Sequence, residues 1–205
     1  YRVDGDPHPV VYTADIFDRT TLDMVVEKNI HCNVGSPDMI DQLGERNPGS
    51  NVTLRINPGF GHGHSAKTNT GGESSKHGIW HEELDDCLAR AKKYNITVSG
   101  LHMHIGSGTD FEHLSQVCAA MQTMALKVGA TITTISAGGG LPTPYKPGDT
   151  GLDVDRYYQL WDATRKQLES EFGHPISLEI EPGRFLVAEC GSLICEIRAI
   201  KRMGS

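Results

Sequence analysis

Nothing in this 205-residue sequence is long and apolar enough to span a bilayer, and no signal-peptide pattern opens it. Basic runs are missing too. Its 19 Lys and Arg against 26 Asp and Glu leave a formal charge of -7, which argues against a nucleic-acid surface. The five cysteines (Cys32, Cys87, Cys118, Cys190, Cys195) are odd in number and show no Cys-x-x-Cys spacing. Neither a disulfide framework nor a zinc site is indicated, and reduced thiols in a cytoplasmic protein fit best. No linker or low-complexity stretch divides the chain, so one sizeable core is expected. Nor does a Gly-x-Gly-x-x-Gly turn join a strand directly to a helix, as a dinucleotide fold requires.

What is present is a regular alternation of short apolar runs with amphipathic helical runs. Strands are expected over 9–14, 30–34, 51–57, 97–104, 131–137 and 176–181. Helices are expected over 20–28, from a Ser36-Pro37 cap to about Arg46, and over 82–94, 110–128 and 154–172. The stripe Phe111, Leu114, Val117, Cys118, Met121, Ala125 and Val128 reads as core packing. Residues 192–201 are apolar on alternate positions and predict a further strand. Between 58 and 77 runs a long stretch with glycines at 59, 61, 63, 71 and 72, of the kind that forms lids or binding loops. Strand–helix alternation implies parallel strands with helices outside, in an open doubly wound sheet or a (β/α)8 barrel. The glycine-rich and polar features follow several different strands at their C-terminal ends, which is how a barrel distributes an active site.

Three of those features can carry chemistry. Leu178 and Ile180 alternate with Glu179 and Glu181, so both carboxylates leave one face of a strand that Pro182 and Gly183 then stop. With Arg184 beyond the turn, this suits an ionic ligand; the plainer reading is a strand with two solvent-facing acids. Gly138, Gly139 and Gly140 expose backbone N–H groups with no side chains in the way, which suits a phosphate, unless they form only a flexible loop. The third feature is His102-Met-His-Ile-Gly-Ser-Gly108, where Ser107 adds a hydroxyl between two glycines. Two residues apart on a strand, His102 and His104 face the same way. That pattern belongs to metal-dependent hydrolase barrels, but the further strand-end ligands are missing. The competing reading lays the His104 ring flat on an aromatic cofactor. In barrels the phosphate site commonly follows strands seven and eight. If the triple glycine follows strand seven, the six strands are strands three to eight, and 205 residues falls short of the about 250 typical of such barrels.

His104-Ile-Gly-Ser-Gly108, Gly138 to Gly140, Glu181-Pro-Gly-Arg184 and Ser75-Lys76-His77-Gly78-Ile79 resemble the motifs of the alanine-racemase-type barrel decarboxylases that use pyridoxal 5'-phosphate. Asn57-Pro-Gly-Phe-Gly-His-Gly-His64, Lys67-Thr-Asn-Thr-Gly-Gly-Glu73 and Gly140-Leu141 with Pro144-Tyr145 resemble, more narrowly, the bacterial members acting on meso-2,6-diaminopimelate. The resemblance runs over essentially the whole chain. It implies an incomplete (β/α)8 TIM barrel over residues 1–191, covering about strands 3–8, with the start of a truncated C-terminal β-domain at 192–205. It also implies roles: His104 stacked on the pyridine ring, Ser107 and Gly138–Gly140 on the phosphate, and Glu181 on the ring nitrogen. Pro182, Gly183 and Arg184 form the adjoining turn, with Arg184 also meeting a substrate carboxylate. No metal is implied. The family's Schiff-base lysine lies on the first barrel strand, and no position of this chain matches it; Lys67 and Lys76 belong to the long loop. The implied reaction is decarboxylation of meso-2,6-diaminopimelate to L-lysine in lysine biosynthesis, in a cytoplasmic homodimer, with this chain inactive alone. A decarboxylase of another basic amino acid and a non-catalytic barrel remnant are the alternatives.

Overall fold

The computed structural model describes residues 2–3, 6–7, 10–60, 71–73, 75–104, 110–146 and 148–202. A two-residue antiparallel pair, β1 (Arg2–Val3) and β2 (Asp6–Pro7), precedes the main fold. Six parallel strands then follow in sequence order: β3 (Val11–Ala14), β4 (His31–Val34), β5 (Asn51–Asn57), β7 (Thr97–His102), β8 (Thr134–Ser136) and β9 (Ser177–Glu179). Strand β6 (Ile79–Trp80) adds to the end of β5. Helices α1 (Arg19–Lys28), α2 (Pro37–Arg46), α3 (Leu84–Lys93), α4 (Phe111–Val128) and α5 (Val154–Phe172) make the crossovers, and the short α6 (Gly183–Val187) follows β9. All six sequence-based strands and all five helices are present, with ends displaced by a few residues.

The sheet has two chemically different faces because strand side chains alternate. Cys32, Val34, Val52, Leu54, Ile56, Leu101, Met103, Ile135 and Ala137 turn to the helices and are buried with Met39, Ile40, Leu43, Leu84, Met121, Trp161 and Leu168. The opposite face carries Thr13, Asn33, Thr53, Arg55, His102 and Ser136. Their registers agree: Thr13 pairs with Asn33, Asn33 with Thr53, Arg55 with His102, and His102 with Ser136.

That polar face is concave. Five strand spacings in a flat sheet would put β3 and β9 about 24 Å apart, yet Thr13 Oγ1, on β3, donates to Glu181, just past β9, at 3.0 Å. The fold is therefore an incomplete barrel with helices outside, as expected. Two differences stand out. Ser36 sits at the N-cap of α2 with Pro37 behind it, but its side chain makes no capping bond. Residues 191–202 form no helix or strand, and Leu193, Ile194, Ile197 and Ile200 are almost fully exposed. Alternation supplies a strand's pattern, but a strand needs a partner edge, and none lies there among the described residues.

Candidate active site

The site is built where β3, β4 and β7 aim polar side chains at the end of β9. Ladder-like pairing runs past the strand: Ala137 N–H donates to Glu179 O at 2.9 Å and Glu181 N–H to Gly138 O at 2.8 Å. This fixes the Glu181 backbone beside the glycine turn and turns its side chain into the concavity. Glu181 Oε1 there accepts from Thr13 Oγ1 at 3.0 Å and from Asn33 Nδ2 at 3.4 Å, while Oε2 meets His102 Nε2 at 3.1 Å. Asn33 Nδ2 also donates to Thr13 Oγ1 at 3.0 Å, so the donors brace one another. The His102 bond holds the Glu181 carboxyl down to about 2 against partial burial, which pushes the other way; Thr13 adds to the lowering.

His102 and His104, two residues apart, face the concave side because β7 contains a bulge. Val52 pairs with Val98 but Thr53 pairs with Gly100, leaving Ser99 as one residue too many. In unbroken register Leu101 and Met103 would face inward and both histidines would face the helices. Gly100 makes the shift possible, since a Cβ there would lie 2.3 Å from Thr53 Oγ1. His102 is fully buried, and its Nδ1 has no hydrogen-bond partner among the described residues.

His104 stands against the glycine turn. Gly139 N–H points to His104 Nδ1 at 3.4 Å. Burial, then the Arg55 guanidinium, pushes the His104 imidazole down to about 4, so it is neutral at pH 7. The turn accepts only glycine. Gly138 has φ +61, and a Cβ on it would meet His104 Cβ at 2.6 Å; a Cβ on Gly139 would lie 2.7 Å from Glu181 O. A flat face on His104, an ionised carboxylate and a side-chain-free backbone turn thus converge. They fit a planar cofactor with a basic ring nitrogen at one end and a phosphate at the other.

Of the residues expected from sequence, His104, Gly138, Gly139 and Glu181 come together. Gly140 (φ +93) follows Gly139 in the same turn, and Gly183 N–H donates back to Glu181 O at 2.9 Å across Pro182. Arg184 is exposed, its guanidinium 5.9 Å from the Tyr145 ring centre. Ser107 and Lys67 lie outside the described residues. Lys76 is exposed and lines a separate cavity of about 500 Å³ with Asp15, Ser36, His77 and Glu83. Thr13, Asn33 and Arg55 were not singled out from sequence. The signal for them is the shared position of a polar residue on successive parallel strands. No group of three or more His, Cys, Asp or Glu that could hold a metal ion occurs among the described residues.

Residues 1–188 match the family model described as pyridoxal-dependent decarboxylase, pyridoxal binding domain. The chain belongs to that family. The chain is 58% identical over all its 205 residues to the diaminopimelate decarboxylase of Streptomyces coelicolor, covering 47% of that protein. A crystal structure of a diaminopimelate decarboxylase superposes with a TM-score of 0.87 at 54% identity, over 95% of this chain and 46% of the other. The M. jannaschii diaminopimelate decarboxylase in complex with L-lysine superposes with a TM-score of 0.73 at 25% identity, over 87% and 44%. The chain thus spans about half the length of the curated relatives it matches. No described helix is long and apolar enough to cross a membrane.

Proposed function

We propose that this chain is the cofactor-holding part of a diaminopimelate decarboxylase, which converts meso-2,6-diaminopimelate to L-lysine and carbon dioxide. The observation that carries the reading is the Glu181 carboxylate, held by three donors and kept ionised chiefly by His102, beside a glycine turn and a neutral imidazole. Identity of 58% over the whole chain to a diaminopimelate decarboxylase supports the same substrate. Bound pyridoxal phosphate supplies an electron sink for the pair left on Cα when its bond to the carboxylate breaks.

The chain's own groups prepare that step. Glu181 holds a proton on the ring nitrogen, the charge that makes the ring an effective sink. The His104 ring lies against the cofactor's face, and being neutral it does not compete with the ring nitrogen for Glu181. The N–H groups of Gly138 to Gly140, with Ser107, meet the phosphate, and Arg184 in the adjoining turn serves phosphate or substrate carboxylate. Carbon dioxide leaves and Cα gains a proton, giving lysine. The residues from 192 onward begin a second, β-rich domain, and the whole protein is a cytoplasmic homodimer.

The test uses the whole protein. Loaded with pyridoxal phosphate, it should release carbon dioxide from meso-2,6-diaminopimelate and not from lysine, ornithine or arginine. Borohydride reduction and peptide mapping should place the cofactor on a lysine outside residues 1–205. Turnover of another basic amino acid in preference to diaminopimelate overturns the substrate; an adduct on Lys67 or Lys76 overturns the site.

A further inference from the structure

The inference concerns His102 and rests on the cofactor reading above. A carboxylate oxygen offers about two acceptor positions. Oε1 of Glu181 uses both, for the Thr13 hydroxyl and the Asn33 amide. Oε2 uses one, for His102 Nε2, and keeps one lone pair. His102 is fully buried and its Nδ1 faces no acceptor among the described residues, whereas its Nε2 faces the Glu181 carboxylate, which only accepts. The proton therefore belongs on Nε2, and the ring is a fixed donor. The β7 bulge turns this histidine inward, so the backbone irregularity has a chemical consequence.

We infer that His102 is a positioning residue: it fixes Glu181 Oε2 so that the oxygen's remaining lone pair receives the cofactor's ring N–H. Thr13 and Asn33 set the carboxylate's tilt through Oε1, and His102 sets the oxygen that does the accepting. Without His102, Oε2 is free to turn and to rehydrate.

The experiment loads the whole protein with pyridoxal phosphate labelled with nitrogen-15 in the ring, and reads the ring-nitrogen shift against pH. His102→Gln keeps an amide donor near the Nε2 position, whereas His102→Asn carries its amide near Nδ1 and cannot reach Oε2. In the wild type and the Gln variant the ring nitrogen should stay protonated across neutral pH. In the Asn variant it should deprotonate at a pH at least about one unit lower. Its kcat should fall roughly ten- to a hundred-fold, the scale of one hydrogen bond to a charged group. Cofactor stoichiometry and the melting temperature of each loaded variant are read alongside. Equal ring titration in the two folded, loaded variants overturns the role of His102 and leaves the decarboxylase reading intact. A wild type that takes up no cofactor overturns the decarboxylase reading itself, and this inference with it.

Discussion

At Gly139 the choice of residue is dictated by a 2.7 Å gap to a carbonyl that cannot move without displacing Glu181. Gly139→Ala should cost roughly 1–3 kcal/mol of stability through overpacking. It should also weaken pyridoxal phosphate binding by more, in free energy, than it destabilises the apo chain, because the strain falls on Glu181. Fluorescence titration with the cofactor, beside thermal melts, separates the two. His104 gives a pH signature. Its folded-state value near 4 lies below the ordinary 6.5, so between those limits the unfolded chain binds a proton that the folded chain refuses. Stability should fall by roughly 1–3 kcal/mol as pH drops from 6.5 to 4. The depressed Glu181 carboxyl adds its own loss below its ordinary 4.5, toward about 2. Urea midpoints measured from pH 7 to 4.5 should decline in the wild type and less steeply in His104→Phe, where the partly buried His31, also held below its ordinary value, keeps its own share of the loss; parallel slopes would refute the assignment. Glu181 and the glycine turn could be read from sequence because Pro, Gly and a strand-end acid punctuate the chain. Thr13 and Asn33 could not, since a lone polar residue on a short strand carries no local mark; only strand register joins them to Glu181.

Elements with strong periodicity were legible for the same reason that they are stable: the apolar stripes of α4 and α5 are the faces that Val117, Met121, Trp161 and Leu168 bury. The β7 bulge was not. Gly100 hints at it, but the extra residue is defined only against β5. Strand β6 was hidden as well, because two residues show no period, and its place is set by side chains distant in sequence. Asn57 ties down both limbs of the long loop, accepting from Gly59 N–H at 3.1 Å and Gly72 N–H at 2.9 Å. Asp15, one residue past β3, anchors the return limb through His77 Nδ1 at 2.6 Å and Gly78 N–H at 3.0 Å, with Arg55 at 3.8 Å. Asp15→Ala removes that anchor and leaves Gly78 N–H without its acceptor. The local cost should be roughly 1–3 kcal/mol. Amide exchange at Gly78, Ile79 and Trp80 should quicken while α4 and α5 stay protected; unchanged exchange there would show that β6 pairing alone holds the limb.

A six-strand parallel sheet curled far enough for β3 to touch the end of β9 must cover its apolar outer face all the way round, and here the cover is uneven. Helices bury the β4, β5, β7 and β8 faces. Beyond β9 an apolar groove of about 220 Å³ stays open between α5 and α6, lined by Leu141, Tyr157, Trp161, Leu178, Ile180, Phe185 and Leu186. Ile180 and Leu186 are 46% and 68% exposed there, beside the half-exposed Val154 and Tyr158. Adjacent apolar side chains on an open groove gain by meeting another surface, whereas scattered ones do not. The groove also flanks β9, whose outer edge leaves backbone groups unpaired among the described residues. The 205-residue chain should therefore self-associate. Sedimentation velocity from low to high micromolar concentration should show a rising weight-average mass, and Leu186→Glu should weaken association roughly ten-fold, the equivalent of re-exposing one leucine side chain. The same substitution should leave apo stability nearly unchanged, because Leu186 is already mostly in water. A monodisperse monomer throughout that range would mean that the groove closes on itself in solution.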